Sequence, residues 1–438
     1  MQLHTTPGTP AADGPIDSVG NTGRTRMYPW LVFVLTFALL LADYMSRQVL
    51  SAVFPVLKTQ WGLTDSRLGS LNSVVALMVG LLTFPLSLLA DRWGRVKSLV
   101  LMATLWSVAT LLCAVAANYH QMLGARFLVG VGEAAYGSVG IALVLGIFGS
   151  RVHAALGGAF MAGGSFGSVL GVAAGGAIAV HLGWRWSFVT MALVGLALAA
   201  LFGALVSERK LARYVDRGSA ESVRHSRFRA PISTLFTNPA VWCAYVGGGA
   251  QLFTAAVLLA WTPSFFNRVY GLATDTAAAA ASGVVLLVGA GMVCCGVVAD
   301  RIGRRDLSRK WPAAVAFCAV SLICLMLGFS IEPGPAQLIL IGIGAWFSGG
   351  SSGPIAAVVA DLTHSSVRAS AMGMLTLSDS LLGMALGPFV VGLLADRCGL
   401  TAALRLAPLA YLVAIAALVA GRCLYPAGLR KLAAVHDR

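Results

Sequence analysis

The amino-acid sequence predicts an all-α integral membrane protein, with twelve transmembrane helices in two pseudo-symmetric six-helix bundles. Three observations support this fold class. First, 58% of the 438 residues are hydrophobic and only 11% are charged, whereas a soluble domain carries roughly 25% charged residues. Second, apolar runs near the ~20 residues needed to cross a bilayer recur along the whole chain. Third, motifs of the first half recur in the second half, 209 to 217 residues later.

The apolar runs, separated by short polar turns, give the predicted spans. A polar segment without a cleavable-signal pattern precedes them, so we expect a disordered N-terminal tail over residues 1–27. The longest hydrophilic stretch, residues 207–238, divides the chain into two bundles. These bundles are expected over 28–206 and 239–424, followed by a tail over 425–438. The predicted spans cover roughly residues 28–52, 68–90, 98–117, 120–145, 153–180, 184–206, 239–262, 278–299, 311–330, 336–360, 369–395 and 401–424.

The positive charges of the loops predict the orientation in the membrane. If the N-terminus lies in the cytoplasm, 23 Lys and Arg residues fall on the cytoplasmic side and six on the opposite side. This asymmetry follows the rule that cytoplasmic loops carry the excess of basic residues. We therefore expect a multi-pass protein of the cytoplasmic (inner) membrane with both termini in the cytoplasm. The same loops account for the net charge of +14, so a nucleic-acid partner is not expected.

Three pairs of matching segments show that the two halves of the chain repeat. Such tandem six-helix halves are the parallel repeats of one transporter architecture. The matching pairs are SLLADRWGRVK (87–97) with GVVADRIGRR (296–305), RVHAALG (151–157) with RASAMG (368–373), and GSVLGVAAGG (167–176) with GMALGPFVVG (383–392).

The first pair resembles the signature loop G-x-x-x-D-R-x-G-R-R/K of the major facilitator superfamily. The second copy fits in full, and Ser87 replaces the first glycine in the first copy. An acid at the end of a span, followed by arginine on a short turn, can pair with the other half and hold one conformation. The alternative is ordinary loop charge. The expected latch consists of Asp91, Arg92, Gly94, Arg95, Asp300, Arg301, Gly303 and Arg304, together with Arg151 and Arg368.

Four charged side chains lie well inside the first and fourth predicted spans. Asp43 and Arg47 are four residues apart and share a helix face. Arg126 and Glu133 are seven residues apart, about 10 Å along the helix axis, and also share a face. Charges at this depth are costly unless they are paired or hydrated, and buried ion pairs are a poor source of stability. The set predicts a substrate or proton site, with a structural salt-bridge cluster as the alternative.

The segment RFLVGVGEAAYGS resembles the fourth helix of spinster-type transporters and of organic-anion:cation symporters. Both carry Asn-Tyr-x-Asp-Arg on the first helix, where this chain reads DYMSR (43–47). We interpret the acid as relocated from position 46 to position 43, one turn along nearly the same face. Arg126 and Glu133 match the pattern of both families. In the superfamily, spans 1, 4, 7 and 10 line the central cavity, so the resemblance implies that these charges meet in the transport path.

The expected mechanism couples substrate to protons through shared partners. Glu133 is the proton carrier, with Asp43 as the second proton-coupling acid. An anionic substrate at Arg47 or Arg126 competes for that arginine, and Glu133 then takes up a proton while the halves rock. Asp379 in the eleventh span is expected to form an inter-helix hydrogen bond instead. The further expected substrate contacts are Tyr44, Gln48, Tyr136, Gln251, Trp346 and Ser348.

Other classes of protein fit the sequence less well. The seven His lie in tails, loops or span ends, and the eight Cys contain no CxxC pair, so no cofactor, metal or disulfide framework is expected. A membrane-embedded enzyme or a sensor is a remote alternative. Two transport functions stay open. One is proton-coupled symport of a small organic anion, such as a sugar acid or another carboxylate. The other is spinster-like transport of a lysophospholipid or another amphiphile. In both cases we expect a monomer in the lipid bilayer.

Overall fold

The computed structural model describes residues 22–148, 152–211, 238–304, 306–364 and 367–436, and these residues are almost entirely helical. Short 3₁₀ turns lie at Leu307–Arg309 and Ala407–Leu409, and a π-helix occupies Asp379–Ala385. The α-helices are α1 (Thr22–Trp61), α2 (Asp65–Trp93), α3 (Arg95–Val115), α4 (Tyr119–Glu133), α5 (Tyr136–Ile147), α6 (His153–His181), α7 (Trp184–Leu205), α8 (Glu208–Leu211), α9 (Pro239–Val269), α10 (Thr274–Gly303), α11 (Lys310–Gly328), α12 (Pro335–Ser348), α13 (Ser352–Asp361), α14 (Arg368–Ser378), α15 (Leu386–Cys398), α16 (Leu400–Leu406) and α17 (Ala410–His436).

Twelve segments of the described chain are long and apolar enough to cross a membrane, which confirms the predicted number of spans. They are numbered here as spans 1 to 12 in chain order. Their bounds are Met27–Trp61, Asp65–Ala90, Arg95–Val115, Tyr119–Ile147, Leu156–His181, Trp184–Leu205, Pro239–Val269, Thr274–Gly303, Leu307–Gly328, Pro335–Asp361, Ser370–Cys398 and Leu400–Leu432.

The helices at both ends of the chain extend into the predicted tails. Helix α1 begins at Thr22, inside the tail expected over 1–27, and the rest of that tail lies outside the described residues. Helix α17 continues to His436, so the tail expected over 425–438 is largely helical. This extension is held by tertiary contact, because the Tyr425 hydroxyl donates to Asp361 Oδ2 at 2.5 Å. Most of the central loop, residues 212–237, also lies outside the described residues.

Local sequence explains where several spans begin and end. Span 4 begins after Asn118, whose side chain accepts a hydrogen bond from the Gln121 amide at 3.0 Å and so caps the helix. Gly94 and Gly399 follow α2 and α15, with φ of +100° and +83°. Residues with a side chain rarely adopt this region, so glycine allows the chain to turn directly into the next helix.

Two seams join the first six spans to the last six. Span 2 packs along span 11, and span 5 packs along span 8. Glycines let the backbones approach closely at both seams. A Cβ on Gly69 would collide with the carbonyl oxygen of Pro388, and a Cβ on Gly176 would collide with Ala278. The seams therefore depend on the absence of side chains at these positions.

Spans 4 and 10 are interrupted near their middle. In span 4 the first helix ends at Glu133 and the next begins at Tyr136. In span 10 the first helix ends at Ser348 and the next begins at Ser352. Glu133 and Ser348 are 215 residues apart, which is within the offsets of the sequence repeat. Interrupted helices at corresponding places of two repeats are a pointer to the binding site of a transporter.

Candidate functional site

An ion pair joins spans 1 and 4 at the break of span 4. Nη2 and Nε of Arg47 donate to Oε2 of Glu133 at 2.7 and 3.0 Å. The Glu133 side chain is fully buried, and that of Arg47 is 16% exposed. Two guanidinium donors on one carboxylate fix the geometry of the pair, which a lysine could not reproduce. The structure thus brings together two of the four charges predicted from the sequence.

Two more residues of span 1 reach the same carboxyl group. The Asp43 carboxyl lies within hydrogen-bonding reach of Glu133, and its Oδ1 atom is buried without a partner among the described residues. The Ser46 hydroxyl lies 3.4 Å from Glu133 Oε1 and donates to the Asp43 carbonyl oxygen at 2.8 Å. Because ionised carboxylates only accept hydrogen bonds, a bond between two carboxyl groups requires a proton on one of them. The site has the geometry to hold one shared proton.

Arg126 is fully buried, and its guanidinium group donates hydrogen bonds to backbone carbonyl oxygens. Nε, Nη1 and Nη2 donate to the carbonyl oxygens of Leu71, Ser46 and Arg47 at 3.3, 3.4 and 3.3 Å. Those acceptors belong to spans 1 and 2, so Arg126 ties span 4 to both. The substrate contact expected of Arg126 stays a prediction; in this conformation three of its five N–H groups donate to the backbone.

A cavity of about 30 Å³ lies between the two halves. This is far below the roughly 300–1,000 Å³ of typical ligand pockets, so the site is contracted in this conformation. Asn72 was missed at the sequence level; its amide donates to the Ser51 hydroxyl at 3.0 Å. Its signal was a single amide inside the apolar run of span 2. The lining includes Arg47, Gln48, Asn72, Ala256, Met384 and Pro388, from spans 1, 2, 7 and 11.

The polar residues predicted near the charges take different places. Gln48 lines the cavity beside Arg47. The Tyr44 ring centroid lies 5.4 Å from the guanidinium carbon of Arg47 and supports it by a cation–π contact. Tyr136 is fully buried, and its hydroxyl donates to the Thr36 carbonyl oxygen at 2.8 Å. In this conformation that hydroxyl joins spans 4 and 1, and the substrate contact of Tyr136 stays a prediction.

The middle of the second half holds a neutral hydrogen-bond network. Gln251 Nε2 donates to the Ser348 carbonyl oxygen, and the Ser352 hydroxyl donates to Gln251 Oε1 at 3.2 Å. The Tyr411 hydroxyl donates to the Ser348 carbonyl oxygen at 3.3 Å. Gln251 and Ser348 are fully buried. They bridge the break of span 10 in this conformation and are not among the residues that line the cavity, so their role as substrate contacts stays a prediction.

Trp346 lies on the outer wall of the second half. With Leu287 of span 8 and Phe347 of span 10, it lines an apolar groove of about 490 Å³. Ile339 and Ile343, in the same lining, are exposed on the outside of the bundle. The groove therefore opens toward the surface that lipid would cover, and the central contact predicted for Trp346 is not present.

The repeated turns lie at the face where span 1 begins and span 12 ends, here called the terminal face. Asp300 accepts from Lys310 Nζ at 2.6 Å, and Gly303 leaves room for the Lys310 stem. Arg95 Nη1 donates to the Ala142 carbonyl oxygen at 3.1 Å. Each of these contacts joins residues of the same half.

The remaining latch residues add no contact between the halves in the part of the chain that is described. Arg368 Nε donates to the Ala360 carbonyl oxygen at 3.0 Å, within the second half. Gly94 turns the chain between spans 2 and 3. Arg151 and the side chain of Asp91 lie outside the described residues. The exposed latch residues are Arg92, Asp300, Arg301, Arg304 and Arg368.

At the opposite face, called here the far face, charged groups link the two halves. Asp65 accepts from Nη2 and Nη1 of Arg268 at 2.6 and 2.9 Å, and from Lys58 Nζ at 2.7 Å. Asp396 accepts from the amides of Asp65 and Ser66 at 2.6 and 3.0 Å. It thereby caps the N-terminus of span 2 from span 11, where an anion is favoured. These contacts hold the halves together at the far face.

Asp396 lies in a third copy of the repeated turn. LLADRCG (393–399) and LLADRWG (88–94) differ at one position, and both end on a glycine with positive φ. The sequence prediction missed this copy because the matches between the halves lie at offsets of 209 to 217, and Asp396 follows Asp91 by 305 residues. The same turn thus occurs at both faces.

Residues 36–388 of the sequence match the family model of the Major Facilitator Superfamily. The chain belongs to the major facilitator superfamily. Members of this superfamily are membrane transporters, so this chain is a transporter and not an enzyme. The twelve spans and the sequence repeat fit the same fold.

Curated relatives of this major facilitator protein fall into two groups. It is 27% identical over 301 residues to the "Probable L-galactonate transporter" of Escherichia coli strain K12, covering 66% of each chain. It is 27% identical over 368 residues to the gallate transporter of Pseudomonas putida, covering 77% of this chain and 79% of that one. It is 24% identical over 396 residues to protein spinster homolog 1 of Xenopus laevis, covering 86% and 74%.

Solved structures give the same superfamily fold. A bacterial homolog of the human lysosomal transporter Spinster, in an inward-facing and unoccupied conformation, aligns with a TM-score of 0.78 at 18% identity. That alignment covers 92% of this chain and 98% of the other. A D-xylose–proton symporter aligns with a TM-score of 0.70 at 15% identity, covering 91% and 97%. At these identities the likeness establishes the fold alone.

Proposed function

We propose that this transporter is a proton-coupled symporter of a small organic anion. The observation that carries the proposal is the buried ion pair of Arg47 and Glu133 at the wall of the cavity. Among the described residues, Arg47 is the one guanidinium that lines this cavity, and a guanidinium can bind a carboxylate through two parallel hydrogen bonds. Gln48 and Asn72 add neutral donors and acceptors beside it. The site thus suits a small carboxylate with further polar groups.

Substrate and proton are coupled because they share Arg47. A substrate carboxylate at Arg47 takes the donors that Glu133 uses now. Glu133 then becomes a buried charge without a partner, which costs several kcal/mol, and protonation removes that cost. Asp43 exchanges this proton with Glu133, since the two carboxyl groups are within hydrogen-bonding reach. Asp43 thereby serves in place of the acid that the resembling families carry at position 46.

Transport proceeds by alternating access between the two six-helix bundles of a monomer. We assign the terminal face to the cytoplasm of an inner membrane, because the basic loop residues concentrate there. The far-face contacts of Asp65 then close the outer side in this conformation. The turns that contain Asp91 and Asp300, with Arg151 and Arg368, form the opposing latch when the terminal face closes. Arg126 keeps its bracing role in both states.

The relatives named for organic acids support a small anionic substrate. Galactonate and gallate are both carboxylates, and the two transporters named for them match at 27% identity. Their names do not define the substrate of this chain, so a panel of acids is needed.

Spinster-like transport of an amphiphile is the second candidate function. The specific observation in its favour is the apolar groove of about 490 Å³ that Trp346 and Phe347 line at the outer surface. An acyl chain could lie in this groove while a phosphate binds Arg47. Relatives named spinster match over 86% of the chain at 24% identity.

The test is charge movement measured with proteoliposomes on a solid-supported membrane. The panel contains sugar acids, aromatic acids, dicarboxylates and lysophospholipids, each applied at an acidic and a neutral pH. Wild type is compared with Glu133→Gln. The matched control is Glu332→Gln, which makes the same change at an exposed acid.

We expect a pH-dependent current for one small anion in wild type and in the control variant. Glu133→Gln should lose proton-driven accumulation but retain exchange of substrate across the membrane. Loss of exchange as well, in a variant that is correctly folded, would contradict the assigned role of Glu133. Silence for every small anion, with binding of a lysophospholipid, would favour the amphiphile and make Arg47 a phosphate site.

A further inference from the structure

The middle of span 11 carries an acid that the proposed mechanism does not use. Span 11 is α-helical up to Ser378, π-helical over Asp379–Ala385, and α-helical again from Leu386. The acid, Asp379, is the first residue of the π-helix. Short π-helical segments inside α-helices are rare and often occur at functional sites. Intramembrane acids mark ion or proton pathways in many transporters.

The carboxyl group of Asp379 has no polar partner at one of its oxygens. Oδ1 is buried and makes no hydrogen bond with any described residue, so the inter-helix hydrogen bond expected from the sequence is absent at this atom. Oδ1 faces Gly248 of span 7, and a Cβ placed on Gly248 would lie 2.8 Å from it. The same space is bounded by the side chains of Leu375 and Ile355. This oxygen therefore sits against aliphatic groups and a bare stretch of backbone, although the Asp379 residue as a whole is only partly buried.

No described charged group compensates a negative charge at this place. Of the elements packed against the π-helix, span 2 carries its charged residues at its ends, and span 7 carries Arg268 at its C-terminal end. Span 10, which contributes Ile355, carries Asp361, and the hydroxyl of Tyr425 binds that acid. The titratable group nearest in span 7 is Tyr245, whose own buried hydroxyl has no described partner. An ionised carboxylate is unfavourable in such surroundings.

The π-helix lies at the seam between the two halves. It packs on span 7 of its own half and on span 2 of the other half. Glycines bring the chains together there: a Cβ on Gly80 would lie 2.8 Å from the Cβ of Ser380, and a Cβ on Gly249 would lie 2.7 Å from that of Leu382. Rocking of the halves must change this contact, and with it the access of water to Asp379.

We propose that Asp379 is a second proton-binding site, separate from the Asp43–Glu133 pair and located on the half that otherwise has a neutral centre. It holds a proton while the seam of spans 2, 7 and 11 is packed as it is here. It releases the proton when the halves move and water reaches the carboxyl group. The use of this proton for transport rests on the proposed function, whereas its binding does not.

The experiment labels protonated carboxyl groups in the purified full-length protein and needs no substrate. Dicyclohexylcarbodiimide reacts with protonated carboxyl groups in apolar surroundings, and mass spectrometry locates the adduct. The series runs from about pH 5 to about pH 9, the range over which buried carboxyl groups titrate. Asp379→Asn, which is close to isosteric, provides the blank. Asp361→Asn is the matched control, because it changes an acid of the same half that has a hydroxyl partner.

We expect an adduct at Asp379 that falls at least about tenfold from the acidic to the basic end of the series. The adduct should persist in Asp361→Asn. Gly248→Ala should alter the labelling at Asp379, since its Cβ meets Oδ1, whereas Gly283→Ala, whose Cβ meets open space, should not.

Three results would overturn the proposal. The first is no adduct at Asp379 at any pH while other carboxyl groups are labelled. The second is labelling that Gly248→Ala leaves unchanged. The third is suppression by sodium chloride but not by choline chloride, which would make Asp379 a cation site. A labelled Asp379 together with normal proton-driven uptake in Glu133→Gln would refute the proposed function and leave this site standing.

Discussion

The centres of the two halves share a backbone feature and differ in chemistry. In the first half, the helix before the break of span 4 ends at Glu133, which pairs with Arg47. In the second half, the helix before the break of span 10 ends at Ser348, whose carbonyl oxygen accepts hydrogen bonds from Gln251 and Tyr411. Both breaks are bridged by side chains from neighbouring helices. The repeat has thus preserved the interruption, while one half carries charge and the other carries neutral support.

The largest expected effect comes from removing the charge that distinguishes the first half. Arg47→Met leaves Glu133 buried without its counter-ion, a loss of about 3–5 kcal/mol for a broken buried pair. The substrate-driven current should fall by at least about 100-fold. The control is Arg67→Met at the far face, where the arginine is exposed over Tyr119. The double variant Arg47→Met with Glu133→Gln should recover folding but not the substrate-driven current. A recovered current would contradict the assignment of substrate and proton binding to the first half.

The next effect concerns the linkage between the halves at the far face. Asp65→Asn removes the ion pairs with Arg268 and Lys58, which are partly exposed. A loss of about 1–2 kcal/mol shifts the two conformations by roughly 5- to 30-fold. Labelling of a single cysteine at Ala256, in a chain without its native cysteines, should then increase from the far side. Asp275→Asn, at the same face but bound to the Thr276 amide, should leave the labelling unchanged.

A smaller effect should follow from disturbing the neutral centre of the second half. Gln251→Leu leaves the Ser352 hydroxyl without its acceptor and removes the donor to Ser348. The free energy of unfolding should fall by about 1–3 kcal/mol, the cost of an unsatisfied buried group. The pH dependence of transport should stay that of wild type. A changed pH dependence would show that the second half takes part in the proton chemistry through this network, and the contrast between the halves would need revision.

The smallest expected effect comes from substituting one glycine at each of the two faces by alanine. Gly399→Ala changes only backbone conformation, because its φ is positive and a Cβ there meets open space. It should destabilise the protein by about 1 kcal/mol. Gly157→Ala, inside a helix and also with open space around its Cβ, should have the opposite sign, about 0.5–1 kcal/mol stabilising. Thermal unfolding in detergent compares the two, and equal signs would contradict the turn geometry.

Much of the fold was predictable because hydrophobic length fixes the number of spans. The twelve runs and the repeat indicated a transporter architecture, and the repeated turn resembles the signature loop of the superfamily, which the family match confirms. The interruptions were not predicted, since EAAYG and GGSSG read as ordinary small-residue packing within continuous apolar runs. A break depends on side chains of other helices, as in the bond from Gln251 to Ser348.

The candidate site was predictable in its residues more than in its contacts. Charges inside a span identify themselves, so Asp43, Arg47 and Glu133 were found. Their pairing depends on how each helix is rotated about its axis, which periodicity does not give. We therefore expected the Arg126 guanidinium to face the cavity. In the structure it donates to backbone carbonyl oxygens of spans 1 and 2. The third copy of the turn was missed because it lies 305 residues after the first, outside the offsets of the repeat.

The ion pair of Arg47 and Glu133 also bears on whether protons leak across the membrane through the protein. Under the proposed symport, a site that holds only the proton shared by Asp43 and Glu133 keeps the ion pair of Arg47 and Glu133 satisfied, so the free carrier can reorient. With substrate and a second proton bound, the substrate satisfies Arg47 and the second proton neutralises Glu133. With only one of them, a buried charge is left alone, at a cost of about 3–5 kcal/mol in the transition between states. A difference of that size slows the half-loaded carrier by roughly 150- to 5,000-fold, which would keep the proton gradient from dissipating through the protein when no substrate is present.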